Sequence, residues 1–299
     1  MSNLANPRKR LQSETMEIIN RRQRMFSISR KLRRDNKTVA FVPTMGALHE
    51  GHLALVKEAR QAGDVVVVSI FVNPEQFNDK GDLERYPRDL TSDAAMLAEF
   101  GVDYIFAPEI PEIYPSGFAT YVYVEGVSEG LEGASRPGHF RGVATVVTIL
   151  FNTVRPDLAF FGQKDAQQVA VIKRLTADLG FETEIVVVPT VREESGLAMS
   201  SRNKALTPEE REKAAIVFKG LREAKLAFRA GTRNASELID IARKLIEAEP
   251  LARIDYISAV DAETLEPVEK IEDREIILSA AVFFGKVRLI DNLVLNKKQ

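Results

Sequence analysis

The sequence predicts an α/β fold: a doubly wound, Rossmann-like domain on a parallel sheet, followed by a second, smaller α+β domain. Three observations lead there. Over the first two-thirds of the chain, apolar β-rich runs alternate with longer segments of helical period. The strand-like runs are nearly continuous, as in Val65-Val66-Val67-Val68, which suits parallel strands with helices on both faces because neither side meets water. Near residue 190 the pattern changes to charged amphipathic helices and further strands. A chain of 299 residues has room for two such domains, since single cores stop growing at roughly 250 to 300 residues. We divide it at 190/191, with residues 1–15 as a flexible extension and 191–299 as a domain able to act as a lid.

In order, the expected strands of the first domain are 38–42, 64–72, 103–107, 158–161 and 184–188. Between them, 51–61, 88–100, 143–154 and 165–179 carry apolar residues at spacings of three and four, the stripe of a helix packed on one side. In the second domain, Thr207-Pro208-Glu209-Glu210 starts a helix, with Thr as N-cap, Pro at the first helical position and Glu at the third. Helices over 208–229 and 235–247 follow, then strands around 254–260 and 276–284. No internal repeat appears, which excludes solenoids.

Hydrophobic residues make up 45% and charged residues 28%, a globular balance, and no apolar run reaches the ~18 to 20 residues of a membrane span. Without cysteine there are no disulfides, thiolate metal sites or cysteine nucleophiles, and the default compartment is the reducing cytoplasm. A net charge of -2 argues against wholesale nucleic-acid binding. The charge is uneven, because residues 1–37 hold eleven Lys or Arg against three Asp or Glu. Glu14 and Glu17 interrupt this segment, so a solvated first helix is a better reading than a targeting peptide.

The chemistry concentrates in three clusters. Pro43-Thr44-Met45-Gly46-Ala47-Leu48-His49-Glu50-Gly51-His52 joins the first expected strand to the following helix and holds two of the three histidines. A helix amino terminus at a strand's carboxyl end offers unpaired N–H groups and a positive dipole end to a phosphate, and Gly46 and Gly51 allow close approach. Spacing i to i+3 puts His49 and His52 on one side of the first helical turn, where imidazole N–H groups can donate to phosphate oxygens. A polar loop with incidental histidines is the bland alternative. A zinc site is the other, but His-Glu-Gly-His lacks the i, i+4 spacing of His-Glu-x-x-His. No two glycines are separated by a single residue, so the dinucleotide motif Gly-x-Gly-x-x-Gly is excluded. Gly46 to Gly51 has P-loop spacing, but His52 stands where a P-loop has Lys.

The second cluster, Phe161-Gly162-Gln163-Lys164-Asp165, again lies at a strand end, with Lys164 as a point charge and Asp165 as a helix cap. The third, Met199-Ser200-Ser201-Arg202-Asn203, reads either as an interdomain linker or as a phosphate clamp that closes on substrate.

Together the His-x-Gly-His loop and the Met-Ser-Ser-Arg segment resemble the paired signatures of the nucleotidyltransferase superfamily that includes class I aminoacyl-tRNA synthetases. Five blocks in order, 41–52, 71–77, 136–143, 160–165 and 199–203, resemble the pantoate:beta-alanine ligases, or pantothenate synthetases, from about residue 17 to the carboxyl terminus. The resemblance implies that ATP and pantoate give pantoyl adenylate and pyrophosphate, and that beta-alanine then gives pantothenate and AMP. It implies an ATP site lined by Met45 to His52 (Met45, Gly46, Ala47, Leu48, His49, Glu50, Gly51 and His52), with His52 as proton donor and His49 as a second phosphate partner. Gly162, Gln163, Lys164, Asp165, Met199, Ser200, Ser201 and Arg202 complete it, and Val191 contacts the adenine side. Gln76 and Gln168 are the implied pantoate contacts, Gln76 also the beta-alanine contact, with Asn73 and Met45 at the same end. Mg²⁺ is implied with ATP, held mainly by phosphate oxygens, with Asp93 as the candidate protein contact. Arg136 and His139 are read as walls of the site. The resemblance also implies a homodimer, with a strand at Tyr121-Val122-Tyr123-Val124 as an interface edge. The segment before Met16 lies outside the resemblance, and Gln163 stands where many relatives carry Glu. The competing readings are a cytidylyl- or adenylyltransferase of the same superfamily, which would not consume beta-alanine, and an RNA-binding module indifferent to His52.

Overall fold

A computed structural model describes residues 16–78 and 80–296; the extension assigned to residues 1–15 lies outside the described residues. The chain opens with β1 (Glu17–Ile19), α1 (Arg22–Arg34), β2 (Val39–Thr44), α2 (Glu50–Ala62) and β3 (Val65–Ile70). It continues through α3 (Lys80–Arg85), α4 (Leu90–Glu99), β4 (Tyr104–Phe106), α5 (Ile110–Ile113), α6 (Glu132–Ser135), α7 (His139–Val154), β5 (Leu158–Gly162), α8 (Ala166–Asp178) and β6 (Glu184–Val188). The six strands form one parallel sheet in the order β1-β4-β3-β2-β5-β6. The run Val65 to Val68 is buried because both faces are covered. One face packs on α1, α7 and α8 around Phe41, Phe106 and Phe151; the other packs on α2 and α4 around Val56, Leu97 and Phe160.

The strand order reverses between β2 and β5. These neighbours pair only through Ala40–Leu158 and Phe41–Ala159, so their carboxyl ends part and leave a crevice. Both phosphate-type loops emerge there, as the rule for open α/β sheets requires.

Beyond β6 come α9 (Pro208–Lys213), α10 (Ile216–Arg229), α11 (Ala235–Glu247), β7 (Ala252–Asp261), β8 (Ile276–Phe284) and β9 (Val287–Leu295). Thr207 and Glu210 form the expected reciprocal cap. The antiparallel sheet β7-β8-β9 buries one face under α10 and α11, around Leu221, Leu238 and Leu278. From its other face, Val260 and Ile277 reach across to Ala166 of the large sheet's α8.

Several expectations need correction. The helix expected over 208–229 is two helices separated at Ala214 and Ala215, both buried. Residues 121–124 are not a strand: Val122 N–H donates to Thr145 Oγ1 at 3.0 Å, and Tyr121 lies under the Arg141 guanidinium at 4.7 Å. Two strands were not anticipated. β1 is three residues long, and β9 follows a two-residue Gly285-Lys286 turn whose flanks Phe284 and Val287 pair directly, a hairpin signal present in the sequence.

Candidate active site

The paired-histidine loop is shaped from below. Thr44 Oγ1 donates to Ser69 O at 2.7 Å and accepts Gly46 N–H at 3.2 Å, tying the end of β2 to β3. Gly46 and Ala47 then take left-handed backbone, φ 81° and 52°. A β-carbon at Gly46 would stand 2.9 Å from Asp93 Oδ2, so both the conformation and the neighbour require glycine. Asp93, 3% exposed, accepts from Ala47 N–H at 3.0 Å and from Leu48 N–H at 2.9 Å. The carboxylate is thus the strut of the loop. Among the described residues no group of three or more acidic or histidine side chains is placed to hold a metal ion.

His49 is the N-cap of α2 and its Nδ1 accepts Gly51 N–H at 3.1 Å; His52 Nδ1 accepts His49 N–H at 3.3 Å. His52 therefore sits in the first turn of α2. A backbone N–H can only donate, so both Nδ1 atoms are bare and both rings carry their proton on Nε2. The ring centroids are 4.2 Å apart. Burial, then the neighbouring His49, lowers His52 to about 3. Burial, then Lys164 and Lys204, lowers His49 as well. Near neutral pH the loop presents two uncharged Nε2–H donors. Gly51 lies under the His49 ring, where a β-carbon would come within 2.8 Å of Cε1, and the same point is 3.8 Å from Met199 Cβ, so the first and third clusters meet. Leu48 is buried beneath the loop, Met45 is half-buried, and Glu50 points to solvent.

The second cluster forms a 3₁₀ turn, Gln163–Asp165, at the end of β5. Gly162 faces open space, and Lys164 Nζ lies 3.4 Å from Asp165 Oδ1. Asp165 stands at the N-cap position of α8 but makes no side-chain cap, contrary to the sequence reading. Burial opposes its ionisation, yet Lys164, the hydrogen bond it makes and Arg202 hold it below the usual carboxylate value. The Gln163 side chain donates to Asn292 Oδ1 at 3.0 Å, while Asn292 Nδ2 donates to Gln163 O and Lys164 O, both at 2.9 Å. The small sheet thus holds the lysine turn from above.

The third cluster is the arm of a hairpin and not a linker. Met199 N–H donates to Val191 O at 2.9 Å, and Arg192 bridges Ala198. Asn203, buried, anchors the following turn through Glu193 Oε1 at 2.9 Å and Ala198 O at 3.1 Å. Ser200 Oγ accepts Arg202 N–H at 3.2 Å. Ser201 and Arg202 lie in this turn together with Lys204, which the sequence reading missed.

Gln76 donates to Met45 Sδ at 3.0 Å and accepts from Asn73 Nδ2 at 3.0 Å. Asn73, 1% exposed, also donates to Gly142 O and accepts from the Tyr114 hydroxyl at 2.8 Å, so its role is to orient Gln76. His139 Nδ1 donates to Gln76 O at 2.9 Å, Arg136 Nη2 donates to the same oxygen at 3.3 Å, and Arg136 Nη1 donates to His139 Nε2 at 3.1 Å. Burial, then Arg136, lowers His139 to about 4. Burial, then Arg202, lowers Arg136 to about 10. Gln168 lines the cleft with Lys164, Asp165, Arg136, His139 and Tyr256. A contiguous recess is lined by Lys164, Ser200, Arg202 and Arg288. Sequence reasoning missed Tyr86, whose hydroxyl lies 3.5 Å from Gly46 O, and the small sheet's Asn292, Tyr256 and Arg288, which carry no local motif. The arrangement gathers Arg136, Lys164, Arg202 and Arg288 around the cleft, with the two neutral histidines in the electrostatic neighbourhood of Lys164 and Asp165, and suits a polyanion beside a small carboxylic acid.

The model of the family described as pantoate-beta-alanine ligase matches residues 17–294. The chain is 52% identical over 280 residues to the pantothenate synthetase of Thermosipho africanus, covering 94% of this chain and all of the relative, and 55% identical over 258 residues to that of Moorella thermoacetica, covering 86% and 91%. Among solved structures, the pantothenate synthetase of Thermus thermophilus superposes with a TM-score of 0.87 at 46% identity, covering 94% of this chain and 100% of that one. The Francisella tularensis pantoate-beta-alanine ligase, complexed with beta-gamma ATP and beta-alanine, gives 0.76 at 39% identity over 94% and 98%. Identity near one half over almost the whole described chain leaves no segment of the crevice outside the match, and the chain belongs to the pantoate-beta-alanine ligase family.

Proposed function

We propose that this enzyme, an ATP-dependent ligase of pantoate and beta-alanine, works through a pantoyl adenylate. A carboxylate is a poor acyl donor because its carbon is electron-rich and its leaving group would be oxide. Attack of the pantoate carboxylate on the α-phosphorus of ATP breaks the bond to pyrophosphate and installs AMP as leaving group. The beta-alanine amine then attacks the acyl carbon, AMP departs with the bonding electron pair, and the amine releases a proton.

The observation that carries this reading is the fixed tautomer of the two histidines, whose rings lie within the fields of Lys164 and Asp165. Neutral Nε2–H donors, together with Lys164 and Arg202, stabilise charge that builds on the phosphates as the adenylate forms, without reorganising at the moment of reaction. His52 acts as a hydrogen-bond donor and not as an imidazolium, since its low pKa leaves it uncharged. Gln76 and Gln168 hold pantoate, Gln76 also receives beta-alanine, and Met45 packs at the same end. Gly162 and Met199 to Ser201 line the nucleotide, and Val191 lies at its adenine side. Mg²⁺ enters with ATP as part of that substrate and offsets phosphate charge; the phosphate oxygens are its main ligands, and Asp165 is the carboxylate nearest Lys164.

The domain that begins at residue 191 forms the lid of the site over the parallel-sheet domain before it, shielding the adenylate from water. The enzyme is read as cytoplasmic and homodimeric. The cysteine-free composition supports the first reading, and the exposed Tyr121 and Tyr123, 42% and 53% accessible, support the second. No described helix is long and apolar enough to cross a membrane. The test is product analysis with ATP, Mg²⁺ and pantoate, with and without beta-alanine. Stoichiometric AMP and pantothenate appearing only with both acids supports the reading; AMP release indifferent to beta-alanine, or none, overturns it.

A further inference from the structure

One cluster of buried charge takes no part in the chemistry described above. Glu132, 6% exposed, accepts two parallel hydrogen bonds from Arg288, Nη1 to Oε2 at 2.7 Å and Nη2 to Oε1 at 2.8 Å. The Tyr256 hydroxyl adds a third to Oε1 at 3.0 Å. Arg288 turns its remaining edge to Asp255 at 2.8 and 3.0 Å, and Asp255 accepts from Ser135 at 3.3 Å. Glu132 and Ser135 belong to the large domain, whereas Asp255, Tyr256 and Arg288 belong to the small sheet.

The corner that carries Glu132 is held in an unfavourable shape. Leu131 has φ 50° and ψ -118°, a region that side chains rarely occupy, and it persists only when its surroundings over-determine it. Gln167 does part of this, accepting Glu132 N–H at 2.9 Å and donating to Val127 O at 3.0 Å and to Gly130 O at 2.8 Å. The ion pair does the rest. Arg288 also lines the recess that contains Lys164 and Arg202, while Glu132 and Tyr256 line the cleft with Gln168. The contact that joins the domains is therefore a wall of the reaction chamber.

We propose that Glu132 and Arg288, seconded by Tyr256, are positioning residues that latch the small domain shut over the acyl adenylate, so that beta-alanine and not water receives the acyl group. The proposal rests on the two-step reading above. When the latch fails, water adds its oxygen to the acyl carbon, the carbon–oxygen bond to AMP breaks with its electrons on AMP, and pantoate is regenerated with release of a proton. ATP is then consumed without product. In Glu132→Gln an amide N–H₂ faces the Arg288 donors, so the paired geometry is lost while size is kept.

The experiment measures AMP formed per pantothenate formed, with saturating beta-alanine, in wild type, Glu132→Gln and Tyr256→Phe. Wild type is expected near one AMP per pantothenate. Glu132→Gln is expected to raise the ratio by about tenfold, the scale of a small misplacement of reacting groups, and Tyr256→Phe to raise it less. Leu238→Ala, a core truncation on the buried face of α11, controls for general loosening and is expected to leave the ratio unchanged. A ratio that stays near one in both latch variants overturns the proposal, as does an equal rise in Leu238→Ala. If Glu132→Gln does not fold, Tyr256→Phe, which removes a single oxygen, decides alone. If wild type makes no pantothenate, the functional reading fails instead. The latch is then judged by deuterium uptake over residues 129–137, which must rise in Tyr256→Phe for the coupling to stand.

Discussion

At the scale of single residues, the site is defined by where protons can sit. His49 and His52 spend their Nδ1 atoms on backbone N–H groups, which leaves one N–H donor on each ring. His52→Ala removes that donor and half of the reciprocal cap. We expect adenylation, read as single-turnover pyrophosphate release, to fall on the order of 10²- to 10³-fold. The helix-cap loss should cost about 1 kcal/mol in a denaturant melt, so the fold survives. Unchanged turnover would remove His52 from the mechanism. The same burial gives stability a pH dependence. The folded pKa of His52 is lowered from 6.5 to about 3 and that of His139 to about 4, so the unfolded chain binds more protons between those values. Their contribution is complete above about pH 6.5 and is lost as pH falls toward about 3. His52→Gln should flatten the urea-midpoint profile between pH 6.5 and 4; an unaltered slope contradicts the assignment. The clusters that hold the histidines, Lys164 and Arg202 were legible in the sequence as glycine- and serine-bearing segments at strand ends and near the domain boundary. The tautomers were not, because they depend on which backbone N–H meets which ring nitrogen.

At the scale of elements, the loop after β2 keeps its shape because Asp93, from α4, accepts two of its N–H groups. In Asp93→Asn one of those groups meets an amide donor, leaving a buried N–H unpaired at a cost of about 1 to 3 kcal/mol. The expected result is a raised KM for ATP with the protein still folded at room temperature. A purely metal-binding role would instead shift only the Mg²⁺ dependence. The resemblance offers Asp93 as a candidate metal contact; its strut role was not legible, because only the folded loop shows which N–H groups it holds. The five parallel strands from β2 to β6 were readable from their uninterrupted apolar runs. The strand expected at 121–124 was misread for the same reason: alternating Tyr and Val fit a pleated edge, but here Val122 pairs with a side chain of α7 instead of a neighbouring strand.

At the scale of the molecule, a three-stranded sheet is carried against the crevice by a few specific contacts: Asn292 on the lysine turn, Val260 and Ile277 on Ala166, and Arg288 on Glu132. None could be seen in the sequence, since the partners of the first and last lie 129 and 156 residues apart and no local pattern announces them. Asn292→Ala removes both bonds to the Gln163 and Lys164 carbonyls. We expect kcat to fall more than KM for ATP rises, because the lysine turn stays in place but is less well held. Equal changes in both would mean that Asn292 merely shapes ground-state binding.

The central claim is that pantoate is activated as an adenylate in this crevice, and isotope transfer tests it most directly. With pantoate labelled by ¹⁸O in its carboxylate, ATP and beta-alanine, the AMP released should carry one ¹⁸O on its phosphate, and the pyrophosphate none. Label in pyrophosphate or in inorganic phosphate, with unlabelled AMP, would contradict the account.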